Sequence, residues 1–160
     1  MQYEKLNKEN FDAIVTGQLT HYALWLEDEL DSIIINYFGV KKSRRDEFKR
    51  IILLRNGLTF QDKLEIVRGM IPLLGEVGES CNLKQILKDV EEFKSWRNAM
   101  AHGQDVSDDE WAGKLKICVT TRSGTEKIIE ITPDSHSKRM DDTEVLLVKL
   151  KAAREALKSM

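Results

Sequence analysis

The chain has 160 residues, of which 41% are hydrophobic and 32% are charged, and its formal net charge is -2. This composition is typical of one folded domain and argues against a disordered chain, while the near-neutral charge offers nucleic acid no general attraction. No apolar run reaches the roughly 20 residues that cross a bilayer, and the two cysteines form no metal-ligand pair. We therefore expect a single cytoplasmic domain over residues 1–160 with reduced thiols.

The first two thirds of the chain repeat apolar residues at helical spacing. Steps of three and four residues predict helices over about 10–38, 44–54, 59–71 and 83–101. In the second of these helices, the residues expected to face inward are Phe48, Ile51, Ile52 and Leu54.

Several residues mark where the third helix begins and ends. Thr59, with Asp62 three positions later, fits an N-cap. Pro72 predicts that the helix kinks or ends close to it, because proline cannot continue a regular helix. Gly75 and Gly78 predict the loop that follows.

The apolar period changes to two after about residue 114. Alternating apolar residues lie on both sides of Gly124, at Leu115, Ile117, Val119, Ile129 and Ile131. This pattern predicts a β-hairpin over about 114–132. A last helix is expected to start between Asp134 and Asp142 and to cover about 140–158, and His136 is interpreted as a loop residue. The predicted fold is mostly α: an up-down helical bundle of about four to five helices with a small β-hairpin inserted before the last helix.

The end of the fourth helix carries the residues best suited to chemistry, Arg97, Asn98 and His102, followed by Gly103. Arginine offers a planar pair of donors that matches a phosphate, and histidine can move a proton near neutral pH. Arg97 and His102 are separated by about 140° around an ideal helix. They can therefore converge only if the helix unwinds near Gly103, or if two copies of the chain meet across a two-fold axis.

The segment Arg97-Asn98-Ala99-Met100-Ala101-His102 resembles the signature of the HEPN domains, which is an arginine, a polar residue and then a histidine at the end of a bundle helix. These are small α-helical proteins of prokaryotic toxin–antitoxin, phage-defence and RNA-processing systems. The resemblance covers about residues 10–103 and the last helix. It implies a metal-independent endoribonuclease that needs no cofactor and acts as a homodimer, with the motifs of both chains at the interface.

The resemblance also implies a role for each motif residue. Arg97 would bind the scissile phosphate and stabilise its developing charge. Asn98 would orient the phosphate or the histidine, and His102 would act as general base or acid on the ribose 2′-hydroxyl or the leaving oxygen. The products would carry 2′,3′-cyclic phosphate or 3′-phosphate ends. RNA and an antitoxin protein are the implied partners, with no membrane partner and no metal site.

Two features near the motif depart from this pattern. Gln104 stands where the toxins paired with nucleotidyltransferase antitoxins carry a tyrosine, so regulation by nucleotide transfer is not implied. Four acidic residues also follow closely, and they would repel RNA unless they point away from the site: Asp105, Asp108, Asp109 and Glu110.

A basic window lies between the first and third predicted helices. Its candidate contacts to an RNA backbone are Lys41, Lys42, Arg44 and Arg45. We favour a solvated surface for this window, because charge runs are usually solvated. It would contribute to an RNA site only if it lay beside Arg97.

Two alternatives to a nuclease stay open. One is a non-catalytic HEPN-like dimeric module that binds RNA or protein. The other is a plain helical dimer in which Arg97 and His102 only interact favourably with the negative end of the helix. Trp96, beside the motif, is the aromatic residue expected at a dimer contact. No serine or cysteine nucleophile beside a base and no phosphate-binding glycine loop are found in the sequence.

Overall fold

The computed structural model describes residues 6–55, 57–108, 110–121 and 123–158. Within them the chain is mostly α-helical, with a small antiparallel sheet before the last helix, which confirms the predicted fold class. The helices are α1 (Lys8–Tyr37), α2 (Arg45–Phe48), α3 (Phe60–Met70), α4 (Glu76–Ser80), α5 (Leu83–His102) and α6 (Pro133–Lys158). The strands are β1 (Gln104–Asp105), β2 (Leu115–Thr120) and β3 (Glu126–Ile131). Among these described residues, no helix is both long enough and apolar enough to cross a membrane.

The residues group into two compact units. Unit 1 comprises Met1–Ala23 and Glu91–Glu144, and unit 2 comprises Leu24–Val90 and Val145–Met160. Helices α1, α5 and α6 contribute residues to both units. The motif at the end of α5 belongs to unit 1, whereas the basic window belongs to unit 2.

The core of unit 1 is built on one stripe of α1. Phe11, Val15 and Leu19 recur every four residues and are almost completely buried, because side chains four apart lie on the same face of a helix. The other elements of the unit add further buried side chains, namely Phe93, Ala99, Leu115, Ile117, Ile131 and Met140. The segment of α5 that precedes the motif is thereby fixed through its apolar face.

The sheet has the strand order β1-β2-β3, and both pairs are antiparallel. The predicted hairpin over about 114–132 is confirmed, with Leu115 opposite Ile131 and Thr120 opposite Glu126. Strand β1 was not predicted, because two residues are too few to show an alternating pattern. It pairs Gln104 with Cys118 directly after α5 ends.

The interpretation of His136 as a loop residue is wrong, because the last helix begins earlier than predicted. Helix α6 begins at Pro133, where the fixed φ of proline suits the first helical turn. The hydroxyl of Thr132 accepts a hydrogen bond from the Ser135 amide at 3.1 Å, and the Ser135 hydroxyl accepts one from the Thr132 amide at 2.9 Å. This reciprocal cap starts the helix early and places His136 inside it, fully buried against Phe11.

The prediction for the second helix is also corrected. A π-helical turn, Lys49–Leu53, follows α2, and the amide of Leu54 donates to the Lys49 carbonyl at 2.8 Å. The wider turn changes which residues face inward. Leu53 is buried, whereas Ile51, Ile52 and Leu54 are exposed, contrary to the regular-helix expectation.

The signals around the third helix give mixed outcomes. Thr59 and Asp62 form a capping box at the start of α3, as predicted. The α-helix ends at Met70, and Pro72 lies in a 3-10 turn, which agrees with the predicted end. Gly78, however, is buried within α4 and not in a loop. A Cβ there would lie 3.0 Å from the Leu74 side chain, so the close packing favours glycine at this position.

Unit 2 encloses a charged group that is almost fully buried. Lys63 on α3 is 1% exposed, and its Nζ lies 2.9 Å from Asp31 and 2.7 Å from Glu27, both on α1. Burial disfavours the charge of this lysine, but the hydrogen bonds to the two carboxylates outweigh that effect and raise the pKa of Lys63. The ammonium group therefore stays charged inside the unit.

Removing this lysine should destabilise the protein strongly. Lys63→Met leaves Asp31 buried without its cation, and we expect a loss of about 3–5 kcal/mol in the free energy of unfolding, measured by urea denaturation. Lys114→Met is the matched control, because Lys114 forms an ion pair with Glu130 at 3.2 Å on the surface, and it should cost less than about 1 kcal/mol. Equal losses in both variants would contradict this account.

The buried histidine predicts how stability changes with pH. Burial lowers the pKa of His136 below 6.5, its value in an unfolded chain. Below pH 6.5 the unfolded state therefore binds a proton more readily than the folded state does. The contribution of His136 to stability is thus present above pH 6.5 and is lost as the pH falls. When the pH is lowered from about 7.5 to about 5, the temperature of the unfolding midpoint should fall by less in His136→Gln than in the unmodified chain. Identical pH profiles for His136→Gln and the unmodified chain would refute the assignment.

Candidate functional site

The motif lies on a regular helix end. Helix α5 continues through His102, and the amide of Gly103 still donates to the Ala99 carbonyl at 2.7 Å. The unwinding that would bring Arg97 and His102 together within one chain is therefore not found.

Gly103 ends the helix by close packing. Its φ lies outside the left-handed region in which a glycine commonly ends a helix. A Cβ at this position would collide with the buried side chain of Ile117 and would lie 2.5 Å from the Ala99 carbonyl oxygen. Only glycine lets β2 pass this close to the helix end.

Arg97 and Asn98 are brought together. Both side chains are half-buried, and the Nη1 of Arg97 donates to the Oδ1 of Asn98 at 3.2 Å. Among the described residues, no carboxylate forms an ion pair with Arg97. The guanidinium thus keeps most of its donors available, while Asn98 restrains its orientation.

His102 is exposed at the last position of α5. On this regular helix it lies about 140° away from Arg97, so the two side chains do not share one face within a single chain. Its ring makes no hydrogen bond with any other described residue. Of the three predicted site residues, the structure therefore joins Arg97 with Asn98 and leaves His102 separate.

Two of the four acidic residues that follow the motif form ion pairs with lysines of the same unit. Asp105 lies 2.9 Å from Lys8, and Asp108 lies 2.8 Å from Lys116. Burial tends to raise the pKa of Asp105, but hydrogen bonds from Ser107 and Lys8 outweigh it, and the pKa is lowered. Glu110 is exposed, and Asp109 lies outside the described residues. The two ion pairs reduce the repulsion of an RNA strand that the bare sequence suggested.

An arginine of α6 is stacked on Trp96, the residue directly before the motif, and this contact was not predicted. The Arg139 guanidinium lies 4.8 Å from the centre of the Trp96 ring, and its Nη2 lies 2.8 Å from Glu92. This arrangement covers one side of Trp96, the residue expected at a dimer contact. Trp96 and Arg139 are far apart in sequence, so no local spacing pattern could predict the contact.

The basic window contains two side chains that are held locally. Arg44 forms an ion pair with Glu47 at 2.9 Å, and the Nε of Arg45 donates to the Val40 carbonyl at 3.2 Å. Lys41 and Lys42 are exposed. These residues remain candidates for contact with a charged partner, but they belong to unit 2 and the motif to unit 1.

The described residues contain no group of three or more His, Cys, Asp or Glu side chains able to hold a metal ion. Cys81 and Cys118 are both free thiols. No protein family, curated protein or solved structure matches the chain with significant similarity.

The close packing at Gly103 predicts a large effect for a small substitution. Gly103→Ala forces a methyl group against Ile117 and the helix backbone, and we expect a loss of about 1–3 kcal/mol in urea denaturation. Gly17→Ala is the matched control, because an added Cβ there meets nothing within 4 Å. It should stabilise α1 by up to about 1 kcal/mol, since alanine favours a helix interior. A neutral Gly103→Ala would show that the strand does not need this close approach.

Proposed function

We propose that the chain is a HEPN-type, metal-independent endoribonuclease that acts as a homodimer through Arg97, Asn98 and His102. The observation that carries the proposal is the state of Arg97, which hydrogen-bonds to Asn98 and is not engaged by any described carboxylate. A half-buried arginine that is not neutralised by a carboxylate is available to bind an anion. The resemblance extends the proposal to a cytoplasmic toxin or phage-defence effector restrained by an antitoxin protein.

Arg97 and Asn98 suit the recognition of a phosphate. The hydrogen bond at 3.2 Å uses one donor of the guanidinium and one acceptor of the amide. The remaining guanidinium donors can bind two phosphate oxygens together, and the amide nitrogen of Asn98 can donate to a third. The pair would thus hold the scissile phosphate and stabilise the charge that develops on it.

His102 supplies the proton transfer. The imidazole accepts the proton of the ribose 2′-hydroxyl, whose oxygen attacks the phosphorus and displaces the 5′-oxygen of the next nucleotide. The 5′-oxygen takes up a proton from water or from the protonated imidazole and leaves as a hydroxyl, and the other product is a 2′,3′-cyclic phosphate. Because His102 lies on a different face of α5 from Arg97, each site would combine Arg97 of one chain with a histidine of the second copy.

A non-catalytic, dimeric HEPN-like module that binds RNA or protein is the second candidate. It is favoured by the same helical geometry, since separate faces for Arg97 and His102 leave one chain without a composite site. This module would dimerise and bind a partner but would not cleave RNA.

RNA cleavage by the purified protein in EDTA tests the proposal. We expect Arg97→Ala and His102→Ala each to lower the cleavage rate by at least about 100-fold, because general acid–base and charge-stabilising groups contribute that much. His21→Ala is the matched control, because His21 is an exposed histidine on α1 and not on α5, and this variant should cleave RNA at the unmodified rate. An all-2′-deoxy substrate should remain intact. Equal cleavage by all the variants would remove the site assignment, and no cleavage by the unmodified chain would favour the binding module.

Mixing the two inactive variants locates the site. If each site takes Arg97 from one chain and His102 from the other, a mixed dimer contains one intact site and one doubly altered site. An equal mixture should then recover about a quarter of the unmodified activity, because half the dimers are mixed. No recovery would place both residues in the same chain.

A further inference from the structure

Unit 2 carries an open apolar groove beside the π-helical turn. Two adjoining cavities, of about 650 and 520 Å³, share Phe48, Ile51 and Ile52 as lining residues. The larger cavity is also lined by Ile34, Phe38 and Leu58. Volumes of this size can accept several side chains of a bound segment.

The apolar side chains of this region are unusually exposed. Phe38 is 60% exposed, Leu54 is 59% exposed, and Ile51 and Ile52 are each 48% exposed. Single exposed apolar residues are ordinary, but four within one short region are typical of an interaction surface. The π-helical turn produces this exposure, because it buries Leu53 and turns both neighbouring isoleucines outward.

The surroundings of the groove are positively charged. Lys41 and Arg55 line the cavities themselves, and Lys42, Arg45 and Arg50 lie in the same chain segment. None of these five forms an ion pair with a described residue. The other two basic residues of the segment are neutralised, Arg44 by Glu47 and Lys49 by Asp28.

We infer that this groove binds an amphipathic helix of a partner protein, with an apolar stripe and acidic flanks. The apolar stripe would fill the cavities over Phe48, Ile51 and Ile52, and the acidic flanks would meet Lys41 and Arg55. A second copy of this chain fits poorly, because a symmetric contact would bring two basic rims together. A membrane surface fits poorly as well, because a concave site receives side chains better than a flat layer of lipids.

The inference does not rest on the ribonuclease proposal. It uses residues of unit 2, whereas the motif belongs to unit 1. Loss of RNA cleavage in Arg97→Ala and loss of helix binding in a groove variant are therefore separate observations.

Fluorescence anisotropy with two labelled synthetic peptides tests the inference. Both peptides form amphipathic helices with the same leucine stripe, and they differ only in carrying glutamates or lysines on the flanks. We expect the full chain to bind the glutamate peptide at least about tenfold more tightly than the lysine peptide. Equal affinities, or no binding of the glutamate peptide, would overturn the inference.

Variants of the groove separate the apolar and the charged contributions. Ile52→Glu should weaken binding of the glutamate peptide by at least about tenfold. Val148→Glu is the matched control, since Val148 is 66% exposed on α6 and does not line the cavities. This variant should bind the glutamate peptide with unchanged affinity. Arg50→Glu combined with Arg55→Glu should shift the preference towards the lysine peptide. That double variant alters only exposed positions, so it keeps the test decisive even if Ile52→Glu fails to fold.

Sedimentation with vesicles of phosphatidylcholine and phosphatidylglycerol tests whether the groove binds an anionic membrane instead of a helix. The expected result is that the protein stays in the supernatant while the glutamate peptide binds. Retention on these vesicles, together with no preference between the peptides, would assign the groove to an anionic membrane and overturn the inference.

Discussion

The close approach of β2 to the end of α5 is the constraint on which the candidate site depends. Gly103 leaves no room for a side chain between the helix backbone and Ile117. The chain enters β1 immediately afterwards and pairs with β2. Because the strand holds the helix end, α5 stays regular through His102, and the direction of each motif side chain is set by backbone packing.

A regular helix end changes how the motif can work. Arg97 and Asn98 form one restrained pair, whereas His102 lies on another face of the helix. Under the proposed ribonuclease function, a single chain would present half of a site, and catalysis would depend on association. Activity would then depend on protein concentration, since a chain that is too dilute to dimerise would lack the half of the site supplied by the second copy.

Much of the fold follows from apolar spacing, and the differences have local causes. The spacing predicted α1, α3, α5 and the hairpin, because each has a buried face with a regular period. Apolar spacing gave wrong helix limits or wrong buried faces where a side-chain cap or a π-helical turn determined the local structure. Thr132 and Ser135 start α6 early through side-chain hydrogen bonds, and the π-helical turn at Lys49–Leu53 reverses the predicted faces. At the site, the motif residues were found by their chemistry, but the Lys8–Asp105 ion pair joins residues too far apart in sequence for any local pattern to predict.

The buried Lys63 also determines how α3 can be aligned along α1. Its ammonium group reaches Asp31 and Glu27 only in the observed register, because each carboxylate occupies one position on α1. Sliding α3 by a single turn would move the lysine about 5.4 Å and leave opposite charges separated inside an apolar layer. Misaligned packings of the two helices are thus penalised electrostatically, and the chain distinguishes its native helix register from neighbouring ones that bury similar apolar area.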